Sequence, residues 1–169
     1  MLPNKTVLSS IGLPEESVND NSGRSVAFNA AGNRIIIGAN GNNGSAPYSG
    51  HARVYDWDGS AWTQVGADIN GEAGSDYSGW KVAMNNSGNR VLVGAIYNTG
   101  NGYRAGHARM FSYDGTNWVQ MGSDIDGENA EDEFSWSAAM NGAGSRVVIS
   151  AYKNDGTGTN AGHTRIFDW

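Results

Sequence analysis

The sequence predicts an all-β protein built from three copies of one unit. Near-copies of one eight-residue stretch begin at Gly32, Gly88 and Gly144, so the period is 56 residues. A repeat of this length with several short apolar runs is a module that buries its faces against neighbouring copies. No segment has convincing apolar spacing of 3.6 residues, which an amphipathic helix would require. The same period separates the three histidines, which are His51, His107 and His163.

Each unit is predicted to contain four antiparallel strands, and the second copy shows them best. Residues 81–85 alternate as a half-buried strand and end in a turn rich in Asn and Gly. Residues 91–93 are apolar without alternation, which is typical of a strand buried on both faces. The third strand is predicted at residues 106–113 and the fourth at residues 118–121, because an Asp-Gly pair between them favours a hairpin turn.

Four-stranded units whose second strand is covered on both sides predict the blades of a β-propeller, in which each blade packs face to face on the next. The alternative is a β-trefoil, which also has three copies of four strands. We favour the propeller because trefoil strands should alternate more regularly and a trefoil repeat usually fits in fewer residues.

The whole chain is predicted to be one repeat domain with units at residues 13–68, 69–124 and 125–169. The third unit lacks a fourth strand, and residues 6–9 occupy the column of that strand, so that residues 1–12 would complete a unit. Three blades are too few for a ring, because propellers typically have four to eight. We therefore expect two chains to exchange N-terminal strands and to form a six-bladed homodimer.

Composition narrows the classes of function. The formal charge of -6 and the pI near 4.9 argue against a nucleic-acid surface or an anionic membrane surface. No apolar run is long enough to cross a bilayer, so membrane insertion is not expected. With no cysteine, thiol catalysis and cysteine-ligated metals are excluded.

The repeated motif resembles a known family. A Gly-Asn-Arg sequence, three apolar residues and Gly-Ala are followed by a glycine-rich loop and Gly-His-Ala-Arg, and this pattern is similar to integrin-α-type, FG-GAP-like repeats. The resemblance implies a β-propeller that is extracellular or surface-associated and acts in adhesion or ligand binding, with any leader absent from this sequence. Many FG-GAP repeats hold calcium in an Asp-rich loop, but the matching columns at residues 29–33, 85–89 and 141–145 contain no carboxylate.

Strand order predicts that two sets of loops share one face of the molecule. The connections between units on this face contain twelve of the seventeen carboxylates, so we expect the face to be acidic and rich in loops. Loops on a rigid scaffold are where binding usually occurs. The alternative is that the aromatic residues of these loops only cap unit interfaces. The predicted ligand-binding residues for a glycan or a protein are Tyr48, Tyr77, Tyr97, Tyr103, Phe134 and Tyr152.

Recurring acids give a calcium hypothesis at Glu72 with Asp76 and at Glu128 with Asp132, because hard cations prefer oxygen ligands. The alternative is that a recurring acid caps a turn by accepting backbone hydrogen bonds. The three histidines lie in different units, so a structural hydrogen bond in each unit is predicted instead of one shared ion.

No catalytic motif is present, and no other cofactor is predicted. We therefore expect a non-catalytic extracellular or surface binding module that recognises a glycan or a protein on the loop face. The alternatives are a structural protein that assembles into a ring, coat or filament by strand exchange, and a glycosidase that uses Asp76 with Asp132.

Overall fold

The computed structural model describes residues 12–13 and 16–169, and every regular element in this part of the chain is a β-strand. The strands form three antiparallel sheets, and each sheet contains the first three strands predicted for one unit. The prediction of an all-β repeat protein is therefore confirmed. The strand predicted at residues 6–9, and the exchange between chains that depends on it, lie outside the described residues. Within the described part, no helix is long and apolar enough to cross a membrane.

The first two sheets have the same five-stranded topology, and the third has three strands. Sheet 1 contains β1 (Ser22–Phe28), β2 (Arg34–Ala39), β3 (His51–Trp57) and β4 (Trp62–Gln64) in that order, with β5 (Ile69–Asn70) also paired with β3. Sheet 2 contains β6 (Ser78–Met84), β7 (Arg90–Ala95), β8 (His107–Tyr113), β9 (Trp118–Gln120) and β10 (Ile125–Asp126). Sheet 3 contains β11 (Phe134–Met140), β12 (Arg146–Ala151) and β13 (His163–Asp168).

The predicted strands differ from the observed ones mainly at their starts. β6 begins three residues before the predicted segment, and its register with β7 shifts between Ser78 and Lys81. This bulge interrupts the alternation on which the prediction depended. The two-residue strands β5 and β10 were not predicted, because two residues carry no periodic signal.

The turn between the first two strands is built by an asparagine and a glycine. In unit 2, Asn85 Oδ1 accepts a hydrogen bond from the Arg90 amide at 3.0 Å, and the Gly88 amide donates to the Asn85 carbonyl at 3.0 Å. Gly88 has a φ of 73°, a left-handed conformation that glycine adopts without steric cost. The predicted turn is therefore confirmed.

The hydrophobic core lies between the sheets. Ile36 and Val54 of sheet 1 form one cluster with Val82 of sheet 2. Leu92 of sheet 2 forms the next cluster with Ile149 of sheet 3. Strand β7 is buried on both faces, as predicted, because it lies between these two clusters. In the described part of the chain the three sheets stack on each other and do not close into a barrel.

Candidate functional site

A continuous row of six aromatic rings crosses the three sheets. Neighbouring ring centroids are 4.2 to 6.3 Å apart, in tilted, stacked or edge-on arrangements. Such geometries are favourable between aromatic side chains. We call this set the aromatic row, and its members in spatial order are Tyr48, Tyr77, Tyr97, Trp80, Trp136 and Tyr152.

The first two rings are positioned by the backbone of the repeat. Tyr48 and Tyr77 have φ values of 54° and 55°, and the Tyr77 amide donates to the Tyr48 carbonyl at 3.1 Å. One unit later, Arg104 and Glu133 also have positive φ, and the Glu133 amide donates to the Arg104 carbonyl at 3.1 Å. The left-handed conformation therefore belongs to the repeat. At the junction between sheets 1 and 2, both of these positions are tyrosines, and their rings stack with an interplanar angle of 12°.

Cationic side chains lie against the aromatic row. The guanidinium carbon of Arg24 is 3.8 Å from the ring centroid of Trp80, and that of Arg104 is 4.3 Å from the centroid of Tyr97. Among the described residues, neither arginine forms an ion pair with a carboxylate. Their charge is therefore available to an anionic group on a ligand.

A cavity of about 290 Å³ opens beside the middle of the row. Its walls are formed by Tyr77, Tyr97, Tyr103 and Arg104, together with the loop that contains Ser75. The volume is at the lower end of the usual range for small-molecule sites. Three of the residues predicted from the sequence thus line one cavity.

The structure brings five of the six predicted aromatic residues to this region. Tyr48, Tyr103 and Tyr152 are exposed, while Tyr77 and Tyr97 are half-buried. Tyr103 is connected to the aromatic row by Arg104. The guanidinium carbon of Arg104 is 5.4 Å from the ring centroid of Tyr103.

Phe134 is placed elsewhere, and its predicted position on an exposed loop is corrected. Its side chain is fully buried in the cluster between sheets 2 and 3, where it meets Phe167 edge to face. Phe134 is the first residue of β11, and the register of β11 with β12 shifts between Phe134 and Ser137.

Trp80 and Trp136 were missed by the sequence analysis. They occupy the same column of the repeat, in β6 and β11. Two tryptophans one period apart were the available signal in the sequence.

Two of the predicted calcium ligands act as turn caps. Asp76 Oδ2 accepts hydrogen bonds from the Ala73 amide at 3.0 Å and from Asn98 Nδ2 at 3.1 Å. Asp132 Oδ2 makes the equivalent bonds to the Asn129 amide and the Asn154 side chain. Both carboxylates are 2% exposed. These contacts match the capping alternative, and calcium at Glu72, Asp76, Glu128 and Asp132 stays a prediction.

Glu72 and Glu128 face the histidines of their own units. His107 Nδ1 lies 3.7 Å from Glu72 Oε2 and 3.5 Å from Asp124 Oδ2, whereas His163 Nδ1 lies 2.6 Å from Glu128 Oε2. Glu72, His107 and Asp124 are the described residues whose ligand atoms are close enough to share a metal ion.

A competing cation is already present at this group. Arg109 Nη1 is 3.3 Å from Glu72 Oε1. Burial and then the charge of Arg109 lower the pKa of His107, which favours a neutral imidazole.

No protein-family model matches the chain, and no curated protein matches it. Solved structures of 53 chains are similar, among them that of hydrazine synthase from Kuenenia stuttgartiensis. This similarity has a TM-score of 0.54 and 8% sequence identity, and covers 95% of the present chain and 36% of the hydrazine synthase chain. At this identity the similarity concerns the fold alone. The chain thus corresponds to about a third of that neighbour's length.

Proposed function

We propose that this protein is a non-catalytic binding module and that it binds a glycan along the aromatic row. The observation that carries the proposal is the continuity of the row, because six neighbouring rings across three sheets form an extended platform. The apolar faces of sugar rings pack on aromatic side chains, while tyrosine hydroxyl and tryptophan N–H groups supply hydrogen bonds. The resemblance to FG-GAP-like repeats supports an extracellular or surface location and a role in adhesion.

Glycans with carboxylate or sulfate groups are one class to test despite the net charge of -6, because two arginines lie on the aromatic row itself. Arg24 and Arg104 lie over rings of the row and have no carboxylate partner among the described residues. A guanidinium group binds a carboxylate or sulfate through two parallel hydrogen bonds. The cavity beside Tyr77 and Tyr103 is large enough for part of such a chain.

The scaffold that presents the row is proposed to be a set of β-propeller blades. Three separate antiparallel sheets stacked face to face support this architecture over a β-trefoil, whose strands would build a barrel.

The test is a carbohydrate array that includes glycans with uronate and sulfate groups. We expect defined binding by the wild type and a loss of about tenfold or more for Tyr77→Ala and Trp136→Ala, since each removes one stacking surface. Tyr113→Ala is the matched control, because Tyr113 ends β8 at the end opposite the loop face. Repeating the assay with calcium and with a chelator tests the calcium hypothesis.

Two results would contradict the glycan proposal. If Tyr113→Ala lost as much glycan binding as Tyr77→Ala and Trp136→Ala, the aromatic row would not be the binding site. A blank array together with capture of a defined protein, lost on Tyr77→Ala, would keep the row but replace the glycan by a protein ligand.

A second candidate function is structural, in which copies of the chain assemble into a ring, coat or filament. The observation that favours it is the open edge of sheet 3, where no fourth strand pairs with β13 among the described residues. If residues 1–12 of another copy fill this edge, light scattering will show a dimer that dissociates when these residues are deleted. An unchanged mass after deletion would contradict the strand exchange.

A further inference from the structure

The two junctions between sheets repeat one arginine contact. Arg34 Nη1 donates to the carbonyl of Gly88 in the next unit at 3.1 Å, and Arg90 Nη1 donates to the carbonyl of Gly144 at 3.0 Å. Both glycines are buried beneath the arginine side chains. The contact is therefore part of how one sheet stacks on the next.

Each end of the stack carries one half of the same contact. Arg146 follows Arg34 and Arg90 in the repeat, but its side chain is 62% exposed and bonds only Asp168 within the described part of the chain. Gly32 is the equivalent of the buried acceptor glycines, and it is exposed. A donor is thus presented by sheet 3 and an acceptor by sheet 1.

On sheet 1, apolar residues whose equivalents are buried at an internal junction are likewise exposed. Val82 and Met84 of β6 are 2% and 8% exposed because they pack on sheet 1. Their equivalents in β1, Val26 and Phe28, are 54% and 55% exposed. A hollow of about 520 Å³ lies beside Val26 and is also lined by Ile35 and Ile37 of β2. We call this surface the leading face.

The complementary surface is on sheet 3. Val54 and Met110 are 1% and 0% exposed because the next sheet covers them. Their equivalent in β13 is Ile166, which is 66% exposed. A hollow of about 310 Å³ on the same sheet is lined by Val148 and Thr164. We call this surface the trailing face.

We propose that the trailing face of one copy of this chain binds the leading face of a second copy, head to tail. In this contact Val26 and Phe28 would pack on Val148 and Ile166, and Arg146 would donate to the carbonyl of Gly32. The occupant is a second copy because the two faces hold the two halves of a contact that the chain makes twice internally. Contiguous exposed apolar residues of this kind mark interaction surfaces.

The proposal is separate from the ligand on the aromatic row. It also differs from strand exchange, because all of its contacts lie within residues 26–166. The contact joins two different surfaces and is therefore heterologous. If the rotation between successive copies closes, the copies form a ring; if it does not, they form an open chain.

The first test is mass in solution by light scattering. We expect the wild type to be a dimer or a larger assembly, and Phe28→Glu and Ile166→Glu to weaken self-association by about tenfold or more, because each buries a charge in an apolar contact. Val119→Glu is the matched control, since Val119 is 48% exposed on β9 and belongs to neither end face. Circular dichroism checks that each variant is folded.

The second test mixes the two variants. Phe28→Glu retains the trailing face, and Ile166→Glu retains the leading face. Each is expected to be monomeric alone, and together they should form a dimer with one intact contact. A mixture that stays monomeric would overturn the head-to-tail contact. A wild type that is monomeric at its highest soluble concentration, or variants that keep the wild-type mass, would overturn it equally.

Discussion

Sheets 2 and 3 have almost the same sequence pattern but very different burial. Leu92 in β7 is 0% exposed, whereas the equivalent Val148 in β12 is only partly buried. Met110 in β8 is 0% exposed, whereas the equivalent Ile166 in β13 is 66% exposed. Within the described residues, sheet 2 packs on a neighbouring sheet with both faces, and sheet 3 packs with one. The neighbour, more than the strand's own sequence, therefore decides how much an apolar residue stabilises this fold.

The largest expected effect tests this difference directly. Leu92→Ala should lower the free energy of unfolding by about 2–5 kcal/mol, because it leaves a cavity that is closed on both sides. Val148→Ala should cost less than about 1 kcal/mol, since one side of Val148 already faces solvent in the single chain. Urea unfolding of both variants under monomeric conditions measures the two losses. Equal losses would contradict the role assigned to the neighbouring sheet.

A glycine at the first junction should show the next largest effect. A Cβ atom on Gly38 would lie 2.0 Å from the Gly79 carbonyl oxygen, so the two sheets approach each other backbone to backbone. Gly38→Ala should therefore destabilise the protein by about 1–3 kcal/mol, as overpacking does.

The equivalent residue of sheet 3 is Ser150, which already carries a side chain. Ser150→Ala serves as the control and should change stability by less than about 0.5 kcal/mol. Thermal unfolding compares the two variants. A Gly38→Ala protein as stable as the wild type would show that the close approach is not required.

The smallest effect concerns an ion pair that differs between units. Arg53 donates to both carboxylate oxygens of Asp68 at 2.9 Å, and these hydrogen bonds hold the pKa of Asp68 below its usual value. Asp68 and Asp124 each accept a hydrogen bond from a glutamine, but the equivalent Arg109 donates to the Asn70 carbonyl instead of to Asp124.

The lowered pKa of Asp68 means that its ion pair stabilises the folded state above the ordinary carboxyl pKa of about 4. This stability is lost as the pH falls through the lower, folded value. Both side chains are partly exposed, so solvent screens the pair in part. Asp68→Asn should therefore cost only about 0.5–1 kcal/mol at pH 7 and should remove this part of the acid dependence. Asp124→Asn should leave the acid dependence that Asp68 contributes unchanged. Urea unfolding at several pH values measures both, and an identical pH profile for wild type and Asp68→Asn would contradict the assignment.

Sequence reasoning found most of the fold because the signals for it are local and repeated. Turns at Gly88 and Gly115, and the unbroken apolar run at residues 91–93, need no knowledge of neighbours. The candidate site was only partly predicted. Five of six aromatic residues were found because they lie in or beside loops. Phe134 was misplaced because it begins β11 and packs in the cluster between sheets 2 and 3, a contact that local sequence does not reveal.

By itself the sequence determined the period of 56 residues, the all-β class and the order of the first three strands in each unit. These follow from turn chemistry and apolar patterning, which act over a few residues. Only the tertiary structure decided that Trp80 and Trp136 join the tyrosines in one row, and that Asp76 and Asp132 cap turns. It alone also showed that, among residues 12–13 and 16–169, Arg146 and Gly32 lie at opposite ends of the stack and lack the contact that their repeat equivalents make. Such relations join residues that are distant in sequence, and they depend on how the sheets stack.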